Sequence, residues 1–306
     1  MPTPSSTESD LQVVQQLPVT PALTLERTPL ESCYRICRET TKTHSKTFYF
    51  ASLFLPTEKR RAIWAVYAFC RTADDIADTP APAMRRLAAI DALRDQLIAA
   101  YAGRARDPVM MAFADTVQRF SIPLQPALDL LAGARTDVTV RRYETYEELL
   151  DYCYLVASTV GLLTCPILGF EGDALGYGAD LGRAMQMTNI LRDVGEDARM
   201  GRIYLPAEDL RRFGCSEQQV LDGERNDAFV ELMRFQIARV RAMYDQAAPG
   251  IALLAPGSRQ TVRLALSLYR RILLEIERND FDVFTRRAYV PARAKVVTAM
   301  MSCLGY

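Results

Sequence analysis

The sequence contains one histidine, His44, and its seven cysteines, Cys33, Cys37, Cys70, Cys153, Cys165, Cys215 and Cys303, include no CxxC pair. A zinc site of thiolates and imidazoles is therefore not supported, and the scattered thiols read as buried groups of a cytoplasmic, reducing environment. Neither charge is in excess, because 37 Lys and Arg balance 37 Asp and Glu. Without a basic field, nucleic acid is not an expected partner. No Ser/His or Cys/His pairing offers itself for nucleophilic catalysis. Strand signals are nearly missing: no sustained alternating run is bounded by Asn-Gly or Asp-Gly turns. The first 28 residues lack the basic start and apolar run of a signal peptide. Their Pro, Thr, Ser and Gln content predicts a disordered extension over 1–28.

What is present is apolar periodicity at spacings of three and four in a chain that is 49% apolar, enough for a large core. The fold class is all-α, and no linker divides 29–306, so one domain is expected. Helices are expected over 30–43, 45–54, 57–78, 83–102, 107–119, 124–132, 146–164, 174–198, 206–212, 217–222, 226–248 and 258–279, with a last one from about 291. Pro56, Pro108, Pro123, Pro166, Pro206 and Pro291 punctuate the boundaries. The uncharged run Cys153 to Phe170 approaches the ~18 residues of a membrane span. Its Ser158, Thr159, Gly161, Thr164 and Pro166 favour a helix buried inside a protein.

The most informative stretch is Gln186 to Pro206, QMTNILRDVGEDARMGRIYLP. On a helix, Asn189, Asp193 and Asp197 recur every fourth residue and stack on one face, with Gln186 and Glu196 beside them. Such a wall of hard oxygens repels itself unless a cation lies against it, and it suits Mg²⁺, with Mn²⁺ as the alternative. A second acidic stretch lies upstream in RRAIWAVYAFCRTADDIAD. At about 100° per residue, Tyr67, Arg71, Asp74 and Asp78 fall within an arc of about 60°, with Trp64 at its border and Asp75 to one side. This helix is too apolar to be a solvent-exposed salt-bridge ladder, so its acids need partners.

Packed face to face, the two helices would gather Asp74, Asp78, Asp193 and Asp197 at the mouth of a cavity. Metal ions bridging those acids to phosphate oxygens would serve ionisation of an allylic diphosphate, with an apolar pocket below to keep the carbocation from water. The faces of Tyr67 or Tyr152 could stabilise the passing positive charge. At the start of the second helix, Ser45 and Thr47 could cap it or bind an anion, with His44 and Lys46 beside them. Arg286 and Arg287 could close over a diphosphate, although taken singly either reads first as a plain surface arginine. Tyr152, Val156, Ala157, Val160 and Gly161 recur at helical spacing with small members, which fits either close helix packing or a lined tunnel.

DDIAD preceded by YAFCR, then YCYLVASTVG, then GRAMQMTNILRDVGEDARMGRIYLP, in that order, resembles the squalene/phytoene synthase family over about residues 30 to 290. The stretch HSKTFYFAS..LP..KRRAIWAVYAFCR is most similar to its phytoene-forming branch. The resemblance implies a helical bundle of the class I isoprenoid synthase type with a central substrate cavity. It also implies head-to-head condensation of two prenyl diphosphates through a cyclopropylcarbinyl diphosphate. By matching position, it makes Asp74, Asp78, Asp193 and Asp197 metal ligands, with Asn189 and Gln186 beside the second cluster. Arg71, Arg192, Lys46, Tyr67 and Tyr269 would contact diphosphate, while Phe48, Tyr152, Val156, Val160 and Gly161 would line the hydrocarbon tunnel. DDIAD stands where plant relatives usually have DELVD, which leaves the part of Asp75 open.

Ser52, one turn after Phe48, leaves depth for a longer chain, so C20 geranylgeranyl diphosphate is the expected substrate and phytoene the expected product. A C30 synthase using farnesyl diphosphate, or a non-catalytic prenyl-diphosphate-binding partner, are the alternatives. No membrane anchor comes after the last helix, so a reductive NADPH-dependent step is not expected. Peripheral contact with a bilayer is expected from the oily product.

Overall fold

In a computed structural model, which describes residues 30–303, the chain forms helices joined by short loops. They are α1 (Leu30–His44), α2 (Lys46–Ser52), α3 (Thr57–Asp78), α4 (Ala83–Tyr101), α5 (Pro108–Arg119), α6 (Gln125–Thr139), α7 (Tyr146–Cys153), α8 (Thr159–Leu168), α9 (Ala174–Arg199), α10 (Ala207–Arg212), α11 (Glu217–Leu221), α12 (Asp227–Ala247), α13 (Pro256–Arg278) and α14 (Ala292–Cys303). A π-helical turn, Tyr154–Ser158, joins α7 to α8, and a 3₁₀ turn, Ala248–Leu253, leads into α13. Among the described residues there is no strand, only one isolated bridge between Phe170 and Leu254. The all-α expectation holds. The expected extension over 1–28 lies outside the described residues.

The long helix α9 is central, packing against α8, the π turn, α12 and α13. One core cluster lies between α9, α12 and α13, and a second lies between α3, α4, α5, α6 and α8. Cys33, Cys37, Cys70, Cys153, Cys165 and Cys215 are free and buried. Tyr146–Leu168 is the one described stretch long and apolar enough to cross a membrane. It packs against α3, α6 and α9 inside the bundle.

Three local departures from the expected boundaries matter for the site. First, α6 continues to Thr139 rather than ending at 132. Gly133 makes the extension possible, because a Cβ there would lie 2.7 Å from Cγ1 of Val156. Second, the π turn inserts a residue and rotates α8 relative to α7, so Tyr152 no longer shares a face with Val156 and Val160. Third, Pro166 sits inside α8 instead of ending it.

The crossing of α8 and α9 is unusually close. A Cβ at Gly161 would lie 2.3 Å from the carbonyl oxygen of Gly178, and one at Gly182 would lie 2.3 Å from that of Ala157. Only glycine allows those backbones to approach so closely.

Candidate active site

Contrary to the expectation from the sequence, the two acid-bearing helices do not pack face to face. They face each other across a cavity, and α8 packs against both. A cavity of about 280 Å³ lies among these helices. Asp74, Gln186 and Asn189 form part of its polar end, while Leu168, Ala174 and Leu254 wall its far end. The wall runs along α9 from Ala174 to Asn189, which at the helical rise is ~22 Å. Phe48, Val156, Val160 and Gly161 line it, as the tunnel reading expects, and so do Ser52, Tyr67 and Tyr269. Gly161 thus fits both readings of its spacing, since it lines the cavity and also admits the α9 backbone.

The loop after α9 joins the two motifs electrostatically. Arg202 is buried, and its Nη1 donates to Oδ1 of Asp78 at 3.1 Å. Its Nη2 reaches the carbonyl oxygen of Asp137 at 3.5 Å. The Asp137 side chain, on the unexpected extension of α6, accepts from the hydroxyls of Tyr152 at 2.8 Å and Tyr204 at 3.0 Å. Rings of Tyr143, Tyr152 and Tyr204 lie 5.3 to 5.8 Å apart and surround this acid. Asp137 and Arg202 were not singled out as site residues from the sequence. Asp137 belongs to no repeat, and only the packing of α6 against the π turn and α8 places it here.

The carboxylates disturb one another. Burial, then the charges of Asp137, Asp78 and Asp75, raise Asp74 to about 7, against the pull of Arg71. Asp74 nonetheless opens onto the water of the cavity mouth. Burial, then Asp193 and Glu196, raise Asp197 to about 7. Burial raises Asp137 to about 6, although Tyr152, Tyr204 and Arg202 favour its ionised form. Asp193 behaves oppositely. Burial alone would push it up, but Arg192 and Arg287 outweigh burial and hold it below its ordinary value. Arg287 reaches both of its oxygens, at 2.9 and 3.1 Å, and Arg192 Nε donates at 2.8 Å.

Several expected ligand contacts are otherwise engaged here. Arg71 is paired with Asp75, which gives that aspartate a role in holding the arginine. Arg192 faces Asp193. Tyr152 turns away from the cavity toward Asp137, because of the register change at the π turn. His44 and Lys46 are exposed outside the cavity wall, and Lys46 lies near Lys295 of α14. Ser45 precedes α2 without a side-chain cap and instead bonds the hydroxyl of Tyr67. Burial, ahead of the charges around it, raises that phenol to about 12. Ser52 is tied by its hydroxyl to the carbonyl of Tyr49 at 2.7 Å and to Nε1 of Trp64 at 2.9 Å.

Among the described residues, no three His, Cys, Asp or Glu side chains form a group able to hold a metal by themselves. The acids and amides of the two motifs offer oxygen ligands, which suit a hard cation, and burial followed by acidic neighbours raises two of the acids. Arg71 and Arg202 each keep a buried Nε–H without a partner, which a polyanion could satisfy.

Residues 41–294 match the squalene/phytoene synthase family. Over 296 residues the chain is 44% identical to a phytoene synthase of Arthrospira platensis, covering 92% of this chain and 96% of that one. It is 41% identical to a 15-cis-phytoene synthase of Synechococcus elongatus, covering 95% and 98%. Among solved structures, it resembles a dehydrosqualene synthase in complex with ligand, with a TM-score of 0.85 at 33% identity over 90% and 97% of the two chains. A squalene synthase from Alicyclobacillus acidocaldarius gives a TM-score of 0.76 at 31% identity, covering 83% and 96%. With the ordered motifs, the all-helical cavity and these matches agreeing, the chain belongs to the squalene/phytoene synthase family.

Proposed function

We propose that the protein is a phytoene synthase of carotenoid biosynthesis, condensing two geranylgeranyl diphosphates head to head through prephytoene diphosphate. The observation that carries this reading is the apolar cavity that starts at the acid end and runs ~22 Å along α9, against a geranylgeranyl tail of about 20 Å. The phytoene synthases among the relatives named above support the same product.

The residues divide the work by position. Asp74 and Asp78 on one side, and Asn189, Asp193 and Asp197 on the other, would hold Mg²⁺, with Mn²⁺ as the alternative. The ion supplies charge neutralisation of the diphosphate leaving group. Arg71, Arg192 and Arg202 lie beside these acids and are suited to hold diphosphate oxygens through their planar donors. Phe48 and Tyr67 stack at 5.4 Å in the cavity wall, where their faces can stabilise the allylic cation. Val156, Val160 and Leu168 exclude the water that would quench it.

Ser52 keeps the cavity deep enough for a C20 tail beside α2. The likeness to a dehydrosqualene synthase favours the second reading, a C30 condensation on the same scaffold. Incubation with Mg²⁺ and either geranylgeranyl or farnesyl diphosphate, followed by mass analysis of the extracted hydrocarbon, separates the two. A C40 product from geranylgeranyl diphosphate is expected, with Ser52→Phe shifting use toward farnesyl diphosphate. A wild type that consumes only farnesyl diphosphate refutes the C20 assignment.

A further inference from the structure

We propose that the end of the bundle opposite the aspartates is a bilayer-docking face through which the hydrocarbon product leaves. Helices α3 and α9 both begin at this end and carry their acids near their far ends, so Asp74 and Asp78 lie about 25 to 32 Å up α3 from Thr57. Three loops meet here. Nζ of Lys59 on α3 donates to the carbonyl of Leu168 and, at 3.1 Å, to the hydroxyl of Ser258. Phe170 bridges Leu254, and the amide of Glu171 donates to the carbonyl of Leu253 at 3.0 Å. Arg60 donates to the carbonyl of Leu53 at 3.3 Å.

At this face, residues of the cavity's far wall stand next in the chain to exposed apolar residues. Leu55, Leu168, Ala174 and Leu254 are buried and turned to the cavity. Beside them in the chain, Leu53, Phe54, Phe170 and Leu175 are exposed large apolar side chains. Exposed apolar groups adjoining the wall of an apolar cavity suit a route between that cavity and an apolar phase. The alternative exit passes the aspartates and arginines into water, which does not dissolve a hydrocarbon.

Lys59, Arg60 and Arg259 reach the carbonyls of Leu168, Leu53 and Leu254 beside the patch, and Glu171 and Asp173 follow Phe170 in the same loop. Arg61 and Glu58 are spent on pairs with Glu31 and Arg119. Apolar side chains with a small positive surplus suit the interfacial region of a bilayer. The docking proposal rests on the proposed function only for the chemistry of the product.

The test separates the two. The full-length protein, without substrate, is floated with vesicles of phosphatidylcholine alone or with added phosphatidylglycerol. Its diphosphate release is measured separately in detergent. Combined Leu53→Ser, Phe54→Ser and Phe170→Ser should lower vesicle partitioning by about tenfold, while combined Met84→Ser and Ile98→Ser, exposed on α4, should leave it within about twofold. Diphosphate release should be unchanged in both variants, and stronger binding to the anionic vesicles is expected. Equal partitioning of both variants, or failure of wild type to float with either vesicle, overturns the proposal whatever the enzyme makes. A wild-type dimer in sedimentation that the triple variant abolishes would assign the face to a second copy instead, and would also overturn it.

Discussion

Loading the acid end with a metal diphosphate should expel protons, in a number that the ligand-free geometry sets. Asp74 and Asp197 are each raised to about 7, chiefly by burial and then by neighbouring carboxylates, and Asp137 to about 6 by burial. Carboxylates must lose their protons to ligate a cation. A pair of groups titrating near 7 holds about one proton between them at pH 7, about two at pH 6 and less than about a tenth of one at pH 8.5. Because the acids interact, the observable is the total released by the cluster.

Calorimetric titration with preformed magnesium pyrophosphate, in buffers of different ionisation heat at each pH, measures that total. A release that falls from pH 6 to 8.5 is expected, and it should shrink in Asp74→Asn. Heats independent of buffer at pH 6 and 7 would refute the placement of these acids around one shared site. The same shifts fix a sign for stability. A carboxyl raised in the folded state holds its proton more tightly folded than unfolded, so these groups make the ligand-free protein less stable as pH rises from about 4 through 7. Tm without metal should fall over that window, and magnesium pyrophosphate should restore it above pH 7 by binding only the folded form. Asp193 works the other way, and its contribution is lost only as pH falls through and below the ordinary aspartate range.

Asp193→Asn should keep the helical circular-dichroism signal while turnover drops by about two to three orders of magnitude, because the clamp on developing negative charge is weakened. Loss of that signal would make the residue architectural. Gly161→Ala places a methyl 2.3 Å from the carbonyl oxygen of Gly178. Separating the two backbones should cost about 1–3 kcal/mol in urea unfolding. An unchanged midpoint would mean that the crossing is looser than it stands.

Sequence periodicity alone determined the all-helical class and nearly every helix boundary, because apolar spacing and proline placement are local properties of the chain. It also singled out Asp74, Asp78, Asp193 and Asp197, since repeats of acids on apolar helices are visible one helix at a time. Only the tertiary structure decided how these groups meet. The cavity between α3 and α9, the register change at Tyr154–Ser158 and the continuation of α6 through Gly133 depend on neighbours remote in sequence. Those features place Asp137 among three tyrosines, bring Arg202 against Asp78 and turn Tyr152 from the cavity. No local pattern encodes them, because each contact joins side chains that are unremarkable until the backbone is folded.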